Sequence, residues 1–292
     1  MKINKVSIVI PVYNEKNTVA EIIARVKAVD LGEIEKEVIV VDDASTDGTR
    51  ETLKAIGGIK TIFHSTNLGK GGAMRSGFNA ATGDVLIPQD ADLEYDPNDY
   101  KELIKPILRG EGEIVLGIRM NPEPDERRQH GFYWLTWLGN KIITCTTNWL
   151  YWNDAGEYEG CYKAFTKRVV DLVKVRSNGF EYENELICKL LKRGHRTVDM
   201  PIHYYPRGYK EGKKSSQKTD LKFFGLLLNT DSWIKQVSSR ISLQAWSGSC
   251  PVGSCLGVLA RGGKKVHGLL RGVDHKKKNE QETWPELQKE AV

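Results

Sequence analysis

The chain reads as an α/β protein built on a Rossmann-like, doubly wound, mostly parallel sheet with flanking helices. Three observations predict this. Short apolar runs alternate with segments of helical periodicity, the turns between them are short and rich in Gly and Asp, and acidic residues stand just beyond the runs. That edge is where open α/β sheets place ligands. With 292 residues, 40% of them hydrophobic, the chain can bury a substantial core.

Val6 to Ile10 is an apolar run ended by Pro11, and Val19, Ile22, Ile23 and Val26 then recur at helical spacing between Glu15 and Val29. This is a first β-α unit. Glu37 to Val41 forms a second strand, closing on Asp42-Asp43-Ala44-Ser45-Thr46-Asp47-Gly48-Thr49 before a helix through Leu53 and Ile56. A third strand covers Ile59 to Phe63, and Asn67-Leu68-Gly69-Lys70-Gly71-Gly72-Ala73 leads into a helix through Met74 and Phe78. The fourth strand, Val85 to Ile87, delivers Asp90, Asp92 and Glu94 ahead of a helix start at Asp96-Pro97; Glu113 to Gly117 is a further strand, ending in Ile118-Arg119.

Three polar loops are thereby expected to converge on one crevice. Alternation in an extended segment points Asp90, Asp92 and Glu94 to one side, three hard oxygen ligands for a divalent cation with open positions for a diphosphate. A D-x-D standing alone is also the pattern of an exposed acidic turn. Asp43, at a strand end, can accept hydrogen bonds from a base or ribose, or cap the following helix, a task Ser45 or Thr46 can also perform. The backbone donors of Gly69 to Ala73, at a helix start, offer positive ends to anionic groups. A calcium loop is excluded at Asp43 because Lys54 stands where a bidentate Glu is needed, and Gly69-Lys70 lacks both the upstream glycine and the following Ser or Thr of a P-loop.

Composition narrows the class further. The net charge of +5 suits a phosphate-rich ligand or an anionic membrane surface, and the basic residues follow no nucleic-acid-binding motif. Cys145, Cys161, Cys188, Cys250 and Cys255 are odd in number and widely spaced, which indicates neither a disulfide framework nor a zinc site and fits a reducing, cytoplasmic setting. The N-terminus carries no signal-peptide pattern, and no apolar run reaches the length of a membrane span. Phe132 to Trp152 (about 131–152) is long enough for a helix of roughly 20 residues but is interrupted by Asn140, Lys141 and Asn148. Its Trp134, Trp137, Trp149 and Trp152 suit a helix lying at the headgroup level, and a core or dimer helix is the alternative.

Ile8-Val9-Ile10-Pro11-Val12-Tyr13-Asn14-Glu15, Val40 to Thr49, Asn67 to Ala73 and Asp90-Ala91-Asp92-Leu93-Glu94 resemble, in order and spacing, the signature of glycosyltransferase family 2. Among its branches the chain most resembles the polyprenyl-phosphate hexosyltransferases, the dolichol-phosphate mannosyltransferase-like enzymes, through Cys161-Tyr162-Lys163-Ala164-Phe165 and Pro201-Ile202-His203-Tyr204-Tyr205-Pro206-Arg207-Gly208-Tyr209-Lys210-Glu211-Gly212-Lys213-Lys214. The resemblance implies a GT-A domain over about residues 1–230, with residues 231–292 a poorly ordered tail. It gives nucleotide-sugar contacts to Pro11, Tyr13, Glu15, Asp43, Lys70, Gly71 and Asp90, and Mg²⁺ or Mn²⁺ to Asp90, Asp92 and Glu94. Asp92, Arg119 and Arg207 take catalytic roles, with Arg119, Arg207 and Lys213 at the acceptor phosphate.

The reaction so implied is inverting transfer of a hexose, from GDP-mannose or UDP-glucose, to a polyprenyl or dolichyl phosphate by an enzyme peripheral on the cytoplasmic face of a membrane. A phosphate monoester, with a second pKa of about 6, is largely ionised at neutral pH and needs no strong protein base. Relatives that act on hydroxyl acceptors need one, and Glu157 and Glu159 stand near where it would lie. The branch commonly has Asp and Thr where this chain has Glu157 and Gly160. A hydroxyl-directed family 2 enzyme is therefore the first alternative, and a silent nucleotide-sugar or membrane-surface binding module the remote one.

Overall fold

β-branched residues dominate the two longest strands, β1 (Lys5–Val12) and β2 (Glu35–Asp42), which pair in parallel along their whole length. The computed structural model describes residues 2–119 and 133–205, with side chains from residue 139 onward in the second segment. Around the central pair, β3 (Lys60–Phe63), β4 (Val85–Pro88), β5 (Ile114–Arg119), β6 (Lys163–Thr166) and β7 (Thr197–Ile202) complete a seven-stranded sheet of order β3-β2-β1-β4-β6-β5-β7. Only β6 runs antiparallel to its neighbours. The sheet is thus mostly parallel, as the alternating pattern predicts.

Both faces are covered, which a parallel sheet requires. On one face Ile8 and Ile10 of β1 pack with α1 (Val19–Ala28) and α4 (Tyr100–Arg109), through Ile22, Ile23, Leu103 and Ile104. On the other, Val9 and Val41 meet α3 (Gly69–Ala80) and α7 (Tyr182–Lys192), through Met74, Phe78, Leu186 and Leu190. Short helices α2 (Thr49–Ala55) and α6 (Lys167–Asp171) follow β2 and β6.

The strand order reverses at β1, which has β2 on one side and β4 on the other. A crevice opens there. Gln89 donates to the Val9 carbonyl at 2.9 Å, after which β4 turns away, while Val12 accepts from Asp43 at 2.8 Å on the β2 side. Successive residues of a strand bond to opposite sides, so Pro11 faces the gap left by β4 and its missing N–H costs no ladder bond. The sequence suggests that Pro11 ends β1; the strand instead continues one residue past it to carry Tyr13 forward.

β7 is not among the strands that the sequence predicts. It is an edge strand paired with β5 alone, which is where Pro201 is tolerated and why its alternation is weak. α5 (Tyr133–Tyr151) fulfils the expected helix and buries Ile143, Thr144, Thr147 and Leu150 along one stripe, leaving Ile142 exposed, with exposed Trp152 just past its end. Asn148 on this helix exchanges two hydrogen bonds with the Ala155 backbone, at 2.8 and 3.1 Å, and fixes the segment that follows. Among the described residues no helix is long and apolar enough to cross a membrane.

Candidate active site

The loops after β1 and β2 are laced together. Asn14 donates its N–H to Ser45 Oγ at 2.9 Å and accepts from the Thr46 N–H at 2.8 Å, and the Glu15 N–H bonds Thr49 Oγ1 at 3.1 Å. Asn14 and Ala44 both hold positive φ, 55° and 64°, a conformation that side chains rarely adopt and that such lacing can enforce. On this platform Tyr13 is 43% exposed at the mouth of the crevice, beside half-buried Pro11 and Glu15.

Asp43 is 3% exposed, and its carboxylate accepts the N–H groups of Leu68 at 2.8 Å and Gly69 at 2.7 Å and meets His64 Nδ1 at 2.7 Å. Its position at the strand end is as expected, but its oxygens fasten the start of α3. Neighbouring Asp42 is fully buried and ion-paired to Arg50 Nε at 2.6 Å. The expectation that Gly69 to Ala73 present open donors to an anion is corrected at two positions: Gly69 donates to Asp43, and Gly71 donates to the Asn178 carbonyl at 2.7 Å. A Cβ at Gly71 would collide with the Ser177 carbonyl and sit 2.8 Å from Tyr182 Cβ. These glycines let the segment before α7 close onto α3.

Lys70 points into the crevice. Its Nζ lies 2.8 Å from Asp90 Oδ1 and 3.0 Å from Glu183 Oε1, and Glu183 Oε2 is 2.7 Å from the buried Lys163 Nζ. Two acids and two bases alternate along this chain of contacts, so their charges cancel locally. Burial opposes charge at both ends of the first pair. Yet Lys70 beside it holds the Asp90 carboxyl below the usual carboxylate range, and Asp90 with Glu183 pushes Lys70 well above the usual ammonium range. Both stay ionised at neutral pH. Burial, reinforced by Asp90, raises the Cys161 thiol, leaving it protonated.

Asp92 is half-buried and accepts the Glu94 N–H at 3.1 Å. Glu94 is 7% exposed and accepts the Tyr204 hydroxyl at 2.6 Å. Three converging carboxylates are therefore not what this loop provides: Leu93 takes φ 63°, which breaks the assumed alternation, and among the described residues no group of three acidic, His or Cys side chains is placed to hold a metal. Asp90 and Asp92 remain at the crevice with hard oxygens of the kind Mg²⁺ and Mn²⁺ take.

Arg119, at the end of β5, is clasped by Glu157, Nε to Oε2 at 3.1 Å and Nη2 to Oε1, and its guanidinium lies 5.1 Å above the Tyr204 ring. Next to Glu157, the Gly156 N–H donates to Asp199 at 2.7 Å. Glu159 accepts from Asn184 at 3.1 Å. Arg207 and Lys213 lie outside the described residues, as does the tail. The sequence marks no role for Glu183, Phe180 or Tyr204, since Lys70 of α3 and Glu94 of the acidic loop, the partners that define them, lie about a hundred residues away, and Lys163 joins them only through Glu183.

Comparison with known proteins follows the same lines. The chain is 29% identical over 234 residues to an undecaprenyl-phosphate 4-deoxy-4-formamido-L-arabinose transferase of Proteus mirabilis, covering 77% of this chain and 68% of that one. Solved structures of Mycobacterium tuberculosis glucosyl-3-phosphoglycerate synthase superpose with a TM-score of 0.59. One holds Mn²⁺, UDP-glucose and phosphoglyceric acid, at 20% identity over 77% of this chain and 79% of that one. Another holds Mg²⁺ and UDP, at 19% identity over 77% and 78%. At these identities the likeness establishes the fold, which is GT-A. The profile of Glycosyl transferase family 2 matches residues 7–170, more than half of the sequence, and the chain belongs to that family.

Proposed function

We propose that this family 2 enzyme is an inverting glycosyltransferase that moves a hexose from a nucleotide sugar to a polyprenyl phosphate at a membrane surface. The observation that carries the reading is the Arg119–Glu157 pair. A hydroxyl acceptor needs a carboxylate to receive its proton, whereas both oxygens of Glu157 are engaged by a guanidinium and Glu159 is bonded to Asn184. A phosphate monoester attacks without that help. The Proteus mirabilis relative, named for transfer involving undecaprenyl phosphate, supports the same acceptor class.

In this reading Pro11, Tyr13, Glu15 and the Asp43 loop hold the nucleoside at the β1–β2 side. Asp90 and Asp92 are the residues that would hold Mg²⁺ or Mn²⁺, which when bound offsets the charge of the diphosphate leaving group. Lys70 adds a fixed positive charge next to Asp90. Glu157 uses one edge of the Arg119 guanidinium and leaves the Nη1 edge for a phosphate oxygen, in an orientation locked by the Tyr204 ring. Arg207 and Lys213 are assigned to the acceptor phosphate. Residues 1–230 would form the catalytic domain, and α5 would face the lipid surface through Ile142 and, just past its end, Trp152.

Paired acceptors test this. Incubation of enzyme and labelled donor with a short-chain polyprenyl phosphate should give lipid-linked sugar, and the corresponding polyprenol should give none. Equal transfer to the alcohol would move attention to Glu157 and Glu159 as bases.

A further inference from the structure

The segment leading into α7 is held from two sides. Arg75 of α3 donates to the Ser177 and Arg176 carbonyls and to Asn178 Oδ1, while Glu185 of α7 accepts the Arg176 and Ser177 N–H groups at 3.0 and 2.7 Å. Gly71 donates to the Asn178 carbonyl at 2.7 Å, and the Gly179 N–H bonds Glu181 Oε1 at 3.2 Å. At the tip of this fastened segment stands Phe180, with 55% of its surface exposed. Its ring centroid is 5.4 Å from Lys70 Nζ, the same ammonium that lies 2.8 Å from Asp90 and 3.0 Å from Glu183.

An apolar ring displayed to water on an immobilised segment, next to half-buried charges, is a surface awaiting a ligand with both an apolar face and polar edges. A pyranose is such a ligand: its C–H face packs on an aromatic ring while its hydroxyls donate to carboxylates. Nucleotide contacts are assigned to the β1–β2 side, and Phe180 projects from the α3–α7 side of the same acidic loop. We infer that Phe180 is a specificity-determining residue of the donor site, the platform on which the transferred sugar lies, beside the Lys70–Asp90 pair that can bond its hydroxyls. The inference rests on the nucleotide-sugar reading given above. Held rigid in advance, the ring contributes affinity for the sugar without an ordering cost at binding.

Calorimetric titration of the full chain with UDP, UDP-glucose, GDP and GDP-mannose in the presence of Mg²⁺ tests it. For the nucleotide that the wild type accepts, Phe180→Ala should weaken the nucleotide sugar by about tenfold while leaving the parent diphosphate within about twofold, and Phe180→Trp should restore the sugar-dependent part. Because the ring is exposed, both variants should keep the wild-type melting temperature. Parallel weakening of sugar and diphosphate would overturn the inference in favour of a nucleotide contact. No change in either would overturn it in favour of a lipid contact, leaving the donor reading intact. Failure of the wild type to bind all four would overturn the donor reading itself.

Discussion

Asp92 and Glu94 show how two acids two residues apart acquire different work. Asp92 is half-buried at the crevice, whereas Glu94 is turned inward and takes a short hydrogen bond from Tyr204, which a neutral amide oxygen can also accept. Asp92→Asn is therefore expected to lower transfer by about 100-fold or more and to abolish Mg²⁺-dependent nucleotide binding, while Glu94→Gln keeps that binding within about threefold. Titration calorimetry separates the two, and equal losses would return Glu94 to the metal-binding set. The acids themselves were legible in the sequence. Their geometry was not, because the positive φ of Leu93 depends on packing around the loop.

His203 supplies a pH prediction at the same scale. Its N–H and Nδ1 both meet the Asp99 carboxylate, at 2.7 and 2.8 Å, and that hydrogen bond, with the carboxylate's charge, raises the imidazole above its ordinary value of 6.5. The folded chain thus binds this proton more tightly than the unfolded one. The pair's stabilising contribution is complete below about pH 6.5 and is lost as pH rises through the folded-state value. NMR titration of the His203 ring should give a midpoint above 6.5 that returns toward it in Asp99→Asn. An unshifted midpoint in the wild type would contradict the pairing.

Among the elements, α3 carries the clearest lesson. Its glycine-rich start resembles an anion cradle in sequence, yet Gly71 is small because α7's leading segment lies against it, and its N–H is spent on Asn178. Gly71→Ala should accordingly destabilise the chain by about 1–3 kcal/mol, seen as a fall of several degrees in Tm. An unchanged Tm would mean that the two segments are not in contact. Helical and strand periodicity locates β1, β2, β4, β5 and α1 to α3 because each buries apolar residues of its own, while β3, with no buried residue, is marked by its apolar composition alone. β7 escaped notice because an edge strand bearing Asp199 and Pro201 has no such stripe, and the antiparallel direction of β6 is set by its neighbours, not by its own residues.

At the level of the whole molecule, a sheet whose order reverses at β1 gathers the Tyr13, Asp43, Asp90 and Arg119 loops along one edge, and a parallel sheet covered on both faces holds them there. The direct test of the account is transfer of labelled sugar from a nucleotide donor into the organic-solvent extract in the presence of polyprenyl phosphate. Extractable product that requires Mg²⁺ or Mn²⁺, disappears with a chelator, and falls to background in Asp92→Ala is the expected result. Donor hydrolysis alone, or label passing only to a water-soluble acceptor, would contradict it.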